Sequence, residues 1–100
     1  MRAMADTLAA TIRKIVARLQ LPTSADIKVF DKETEQPIHR KTLVKTPGLS
    51  KFIANLDPNI RVASFLNELE ERMGVQIGAR FELYVAGDRI DGRSKVLGLR

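Results

Sequence analysis

The stretch Leu83-Tyr84-Val85-Ala86-Gly87-Asp88-Arg89-Ile90-Asp91-Gly92-Arg93-Ser94 carries most of the fold information in this chain. With Phe81 and Glu82 before it, it opens as a strand over 81–86. Phe81, Leu83 and Val85 alternate with Glu82 and Tyr84, so the first three share a buried face and Tyr84 points the other way. Gly87-Asp88 marks a tight hairpin connection to Arg89-Ile90, and Asp91-Gly92 marks a further turn.

Before that strand, Asp57-Pro58-Asn59 opens a helix with Asn59 as its cap. Val62, Phe65, Leu66, Leu69 and Met73 recur at helical spacing, and Gly74 suits the left-handed position past the helix end. Residues 41–46 and 51–56 read as two strands around a Pro47-Gly48 turn, with Phe52, Ala54 and Leu56 on one face. Residues 32–37 form a polar, proline-ended loop, and 26–31 alternate as a strand. At the N-terminal side, Leu8, Ile12, Ile15, Val16 and Leu19 draw one apolar stripe on a helix over 6–20, with Asp6 as N-cap and Pro22 as stop. The predicted order is α-β-β-β-α-β-(β), with no repeat and no low-complexity tract. It divides into an N-terminal amphipathic helix, 1–22, and a domain over 23–100.

The chain has 100 residues, 44% apolar and 29% charged, which is the length and composition of one globular domain with one core. It has no cysteine, so disulfides, thiolate nucleophiles and cysteine zinc sites are excluded. The one histidine, His39, lies in the basic stretch His39-Arg40-Lys41 with no carboxylate placed by sequence to orient it. The serines lack a nucleophile context, and no metal-ligand or phosphate-loop spacing occurs. The residues therefore predict a non-enzymatic domain without a cofactor. No run approaches the roughly 18 to 20 apolar residues of a membrane span, and the N-terminal run is broken by Arg13, Lys14 and Arg18. The cytoplasm is the expected compartment.

From Thr42 onward the sequence resembles the ubiquitin family. The matching stretches are Thr42-Leu43-Val44-Lys45-Thr46, then Phe52-Ile53-Ala54-Asn55-Leu56-Asp57-Pro58, the helix ending at Gly74, and above all 83–94. The likeness covers about 42–97 and implies an α+β, ubiquitin-like β-grasp with an additional N-terminal helix and strand. Three departures stand out. The chain stops before the family's last, central strand, the Gly-Gly tail of a conjugated modifier is absent, and an N-terminal helix and strand are added. The first and third can answer each other if residues 27–30 fill the vacant strand position or pair beside the first strand as a hairpin. The alternative is two chains completing each other's sheets. Conjugation is not expected; an adaptor role is.

The 17 basic and 12 acidic residues give a net charge of +5. Arg40, Lys41, Lys45 and Lys51 carry no acid among them, and Arg89, Arg93, Lys95 and Arg100 face only Asp91. The family fold would bring these segments together on the sheet side, leaving Glu68, Glu70 and Glu71 on the helix side. By the same resemblance, Pro47 and Tyr84 fall in the family's interaction patch. The candidate partner-binding set is therefore Arg40, Lys41, Lys45, Pro47, Tyr84, Arg89 and Arg93. Two functions fit it: docking of a protein with an acidic surface, or nucleic-acid binding on the same basic face. Two bland readings stand beside them, ordinary solubilising charge and a Tyr84 covered by the first helix. A homodimer through the N-terminal helix or strand completion is a further expectation.

Overall fold

The computed structural model describes residues 5–45 and 48–100. Thr46 and Pro47 lie outside the described residues, so the turn expected at Pro47-Gly48 is seen only at Gly48, whose φ is +79°.

Among the described residues, the chain folds as a mixed α+β domain with two antiparallel sheets. β1 (Ala5–Thr7) pairs with β3 (Leu43–Lys45), and β2 (Ala25–Asp31), β4 (Ala79–Val85) and β5 (Asp88–Arg89) form a second sheet in the order β2-β4-β5. The helices are α1 (Leu8–Arg18), α2 (Leu49–Ala54) and a long helical rod made of α3 (Val62–Leu69), a π-helical segment (Glu70–Gly74) and α4 (Val75–Ile77). A 3-10 turn, Val96–Leu99, follows.

β2 and β4 run in uninterrupted register over seven pairs, from Ala25↔Val85 to Asp31↔Ala79. Alternation then sorts every side chain. Ile27, Val29, Phe81 and Leu83 enter the core with Leu8, Ile12, Ile15 and Leu19 of the α1 stripe and Phe65, Leu69 and Met73 of the long rod. Burying each such side chain is worth about 1.5–3 kcal/mol. Residues 27–30 therefore pair with the strand 79–85 and not with Leu43–Lys45. On its other edge β2 meets the returning loop, through the Phe30↔Pro37 bridge and the Ile38 N–H to Val29 carbonyl bond of 3.0 Å.

Several local expectations are corrected. The segment 51–56 is not a strand; it is largely the helix α2. Leu49, Phe52, Ile53 and Leu56 fall at 0, +3, +4 and +7, a helical stripe that outweighs the short alternation of Phe52, Ala54 and Leu56. Of the strand expected over 41–46, the described residues form Leu43–Lys45, with Lys41 and Thr42 outside it and Thr46 beyond the described residues. The N-cap of α1 is Thr7, whose Oγ1 accepts from Ala10 N–H at 3.2 Å; Asp6 lies in β1 and pairs with Lys14 at 3.0 Å. The helix closes before Pro22: Gln20 adopts φ +54°, and the N–H groups of Gln20 and Leu21 return to the carbonyls of Ala17 and Val16.

Asn59 does not cap α3. Arg61 holds the N-cap position without a side-chain bond. Instead the N–H groups of Val62 and Ala63 donate to the carbonyls of Ser94 and Gly92, at 2.8 and 2.9 Å. The Asp91-Gly92 turn packs so closely there that a Cβ on Gly92 would meet the Ala63 Cβ at 2.9 Å.

Gly74 is not left-handed either. Its φ is −62°, and the helical rod continues to Ile77, with Gly78 at φ +63° as the true terminator. Gly74 is needed for space, because a Cβ there would lie 2.5 Å from the Ala79 carbonyl oxygen and 3.1 Å from Phe81. Gly74→Ala should therefore destabilise by about 1–3 kcal/mol in urea unfolding, although alanine is the better helix former. Gly98→Ala, with nothing within 4 Å, should change little.

Candidate functional site

The face of the β2-β4-β5 sheet turned away from the core is assembled by the same register. Across β2 and β4 the outer pairs are Asp26↔Tyr84, Lys28↔Glu82 and Phe30↔Arg80, and β5 adds Arg89 opposite Tyr84. The β4–β5 connection is the two-residue turn Ala86-Gly87, both at positive φ (52° and 84°), which matches the twist of a tight hairpin.

A connected polar network covers this face. Glu82 is its hub and is 9% exposed. The Tyr84 hydroxyl donates to Glu82 Oε1 at 2.7 Å, and the Arg80 guanidinium donates to Glu82 Oε2. Arg80 Nε also donates to Glu35 Oε2 at 2.8 Å. Glu35 is brought there by a tight loop in which Asp31 Oδ1 accepts the N–H groups of Glu33 and Thr34. Two cations lie over the two aromatic rings: Lys28 Nζ is 4.2 Å from the Tyr84 centroid, and the Arg80 guanidinium is 4.8 Å from that of Phe30. At the β2 edge, Arg40 reaches both oxygens of Asp26, at 3.1 and 3.2 Å.

The α1 stripe packs in the core against the inner face, so the first helix does not lie over Tyr84, which is half-buried by Lys28 and Glu82. Of the residues singled out from the sequence, Arg40, Tyr84 and Arg89 fall in one row across this sheet. Lys45 lies in the other sheet, on β3, and Lys41 in the turn before it. Arg93 is exposed at the turn that closes the α3 N-terminus; its guanidinium lies 3.5 Å from Asp91 and its carbonyl accepts from Arg61. Pro47 lies outside the described residues. One residue of each basic segment, Arg40 and Arg89, therefore shares this face, while Lys45 belongs to the other sheet. The acidic helix side is also divided, since Glu70 pairs with Lys32 while Glu68 and Glu71 line a groove with Lys51 and Arg72.

Sequence reasoning missed Lys28, Phe30, Arg80 and Glu82. The signal was present in the phase of β2: Ile27 and Val29 point inward, so Lys28 and Phe30 must point outward. His39 has a local task, its Nδ1 accepting the Lys41 N–H at 3.1 Å. Among the described residues no group of three or more His, Asp or Glu side chains is placed to hold a metal ion, and no helix is long and apolar enough to cross a membrane. Compared with known proteins, the chain matches no family model, no curated protein and no solved structure.

Hydrogen bonds from Arg80 and Tyr84 hold the Glu82 carboxyl below its ordinary range, against the opposing effect of burial. The same bond to Glu82 holds the Tyr84 phenol above its ordinary value. The signs follow. Glu82 contributes stability above its unfolded-state pKa, and that stability is lost as pH falls through the lower folded value. Tyr84 contributes stability that declines as pH rises beyond the ordinary tyrosine range. Tyr84 is the only tyrosine and there is no tryptophan, so phenolate absorbance reads it alone. Its titration should lie above that of a free tyrosine, and Glu82→Gln should bring it back toward the ordinary value. The same variant should flatten part of the acid limb of unfolding.

Proposed function

We propose that this chain is a small interaction module, without catalysis of its own, that docks a protein partner bearing an acidic surface on the outer face of the β2-β4-β5 sheet. One observation carries the reading. Tyr84 is fixed in orientation by Glu82, on the face away from the core, between Lys28 and Arg89; among the described residues no helix covers that face and neither cation forms an ion pair. A tyrosine immobilised before binding loses little entropy on docking, and tyrosine and arginine dominate interface hot spots. The resemblance to the ubiquitin family supports the reading, because the hairpin 83–90 and the turn after it lie in the stretch of strongest likeness. The helix at Leu49–Ala54 and the pairing of β3 with β1 depart from a β-grasp. An adaptor in the cytoplasm that is not itself conjugated is the form this proposal takes.

A second reading, single-stranded nucleic acid, is favoured by Phe30, which gives the face a second aromatic ring. Charge tells against it. The face carries Lys28, Arg40, Arg80 and Arg89 against Asp26, Glu35 and Glu82, little positive excess for binding a phosphate backbone.

Affinity capture from source lysate, with and without nuclease, separates the two. A protein partner should be retained after nuclease, lost with Tyr84→Ala, and weakened by Lys28→Glu and Arg89→Glu in a salt-dependent manner. Tyr84→Ala removes one hydrogen bond to a charged group, so it should cost about 1.5–3 kcal/mol and leave the chain folded at assay temperature. Retention that vanishes with nuclease would sink the protein reading in favour of nucleic acid.

A further inference from the structure

Strand β3 uses one edge to pair with β1, and the ladder fixes what its other edge presents. The pairs run Ala5↔Lys45, Asp6↔Val44 and Thr7↔Leu43, and the next step outward is the Leu8 N–H to Thr42 carbonyl bond of 2.8 Å. Antiparallel pairs alternate between those that exchange hydrogen bonds and those that do not. Val44 therefore turns its backbone groups toward β1, while Leu43 and Lys45 turn theirs away. The Lys45 N–H agrees with this: it donates to the side-chain oxygen of Gln76 at 2.8 Å. The Gln76 amide nitrogen in turn donates to the Arg72 carbonyl at 3.3 Å, which holds the cap in place.

The surroundings of this edge are apolar and basic. Leu43 is 65% exposed and Val75 is 75% exposed, two of the three large apolar side chains left open among the described residues. They sit on β3 and α4, the two elements that pack together here. Lys41 and Lys45 flank Leu43.

We propose that the outer edge of β3 is a docking site for an extended, acidic segment of a partner protein, which adds to β3 as a further strand. The alternating outward N–H and C=O groups match a strand. Leu43 and Val75 supply the apolar contact, and Lys41 and Lys45 select carboxylates. A second copy of this chain fits poorly, because pairing β3 with itself would bring the lysines of both copies together. Gln76 serves as a removable cap that occupies the Lys45 N–H until a partner strand takes it. This surface is separate from the Tyr84 face and does not rest on it.

The test uses the whole protein and a synthetic nonapeptide of alternating valine and threonine between paired glutamates, followed by backbone amide NMR. The peptide should shift the Leu43 and Lys45 amides saturably. The same peptide N-methylated at alternate amides should bind at least about tenfold more weakly, having lost its main-chain donors. Leu43→Pro removes an N–H that the β1 ladder does not use, and should abolish binding while leaving the Tyr84 amide signal in place. If Leu43→Pro fails to fold, the N-methylated peptide on the native chain still decides. Gln76→Ala should tighten binding about three- to tenfold by freeing the Lys45 N–H, and Tyr84→Ala should leave it unchanged. Equal binding of the N-methylated peptide, or no shift at millimolar peptide, overturns the proposal. Self-association of the chain that disappears in Leu43→Pro overturns it in favour of a second copy.

Discussion

The seven-pair register between β2 and β4 is the constraint on which the rest of this molecule depends. Side chains on a strand alternate strictly, so a slip of one residue would exchange the two faces of either strand. Ile27 and Val29 would leave the core, and Lys28 and Phe30 would enter it. The register is therefore fixed by the apolar residues of the inner face, and the outer face inherits its geometry without further cost. The opposition of Lys28 to Glu82, of Phe30 to Arg80 and of Asp26 to Tyr84 follows from where the core residues had to go. The Glu82 hub is the clearest result. A carboxylate at the centre of a sheet face would be exposed, yet Arg80 and Tyr84 from its own strand close over it and satisfy both oxygens.

How far the sequence could be read depended on whether one periodicity stood alone. In β4, the alternation of Phe81, Leu83 and Val85 had no helical competitor, and a strand with an outward Tyr84 was legible; it runs over Ala79–Val85 and not 81–86, and its hairpin turn is Ala86-Gly87 and not the expected Gly87-Asp88. In 49–56 two periods coexist: Phe52, Ala54 and Leu56 alternate, while Leu49, Phe52, Ile53 and Leu56 keep helical spacing. Tertiary contact decides such a segment, and here Leu49 and Leu56 reach the core only if the chain coils. Gly74 and Gly78 show the same limit. Either glycine could end a helix, and choosing between them needs the position of the Ala79 carbonyl, which belongs to the following strand.

Charge was the least legible property. The clusters at 39–51 and 89–100 are real as sequence, but proximity along a chain says little about proximity in space. The structure puts Arg40 on Asp26, Arg93 beside Asp91 and Lys45 in a different sheet from Tyr84. Arg40 and Arg89 share the charge-balanced aromatic face of one sheet, and Lys41 and Lys45 flank the apolar edge of the other. The residues that organise the first of these, Arg80 and Glu82, attracted no notice as sequence because opposite charges two positions apart on a strand cancel in any count.

The way α3 begins has a consequence for how the chain comes to be folded. Its first turn has no side-chain cap; its free N–H groups are closed by the carbonyls of Gly92 and Ser94, and Ile60 and Pro58 receive Val96 and Leu97 in the same zipper. A polypeptide leaves the ribosome in order, so α3 emerges about thirty residues before the segment that finishes its end. β2 likewise waits some fifty residues for β4. During synthesis, the early helices therefore have no sheet to cover and no completed start. The contacts that complete α3 and β2 therefore join segments far apart along the chain, which places this domain among the slower folders of its size.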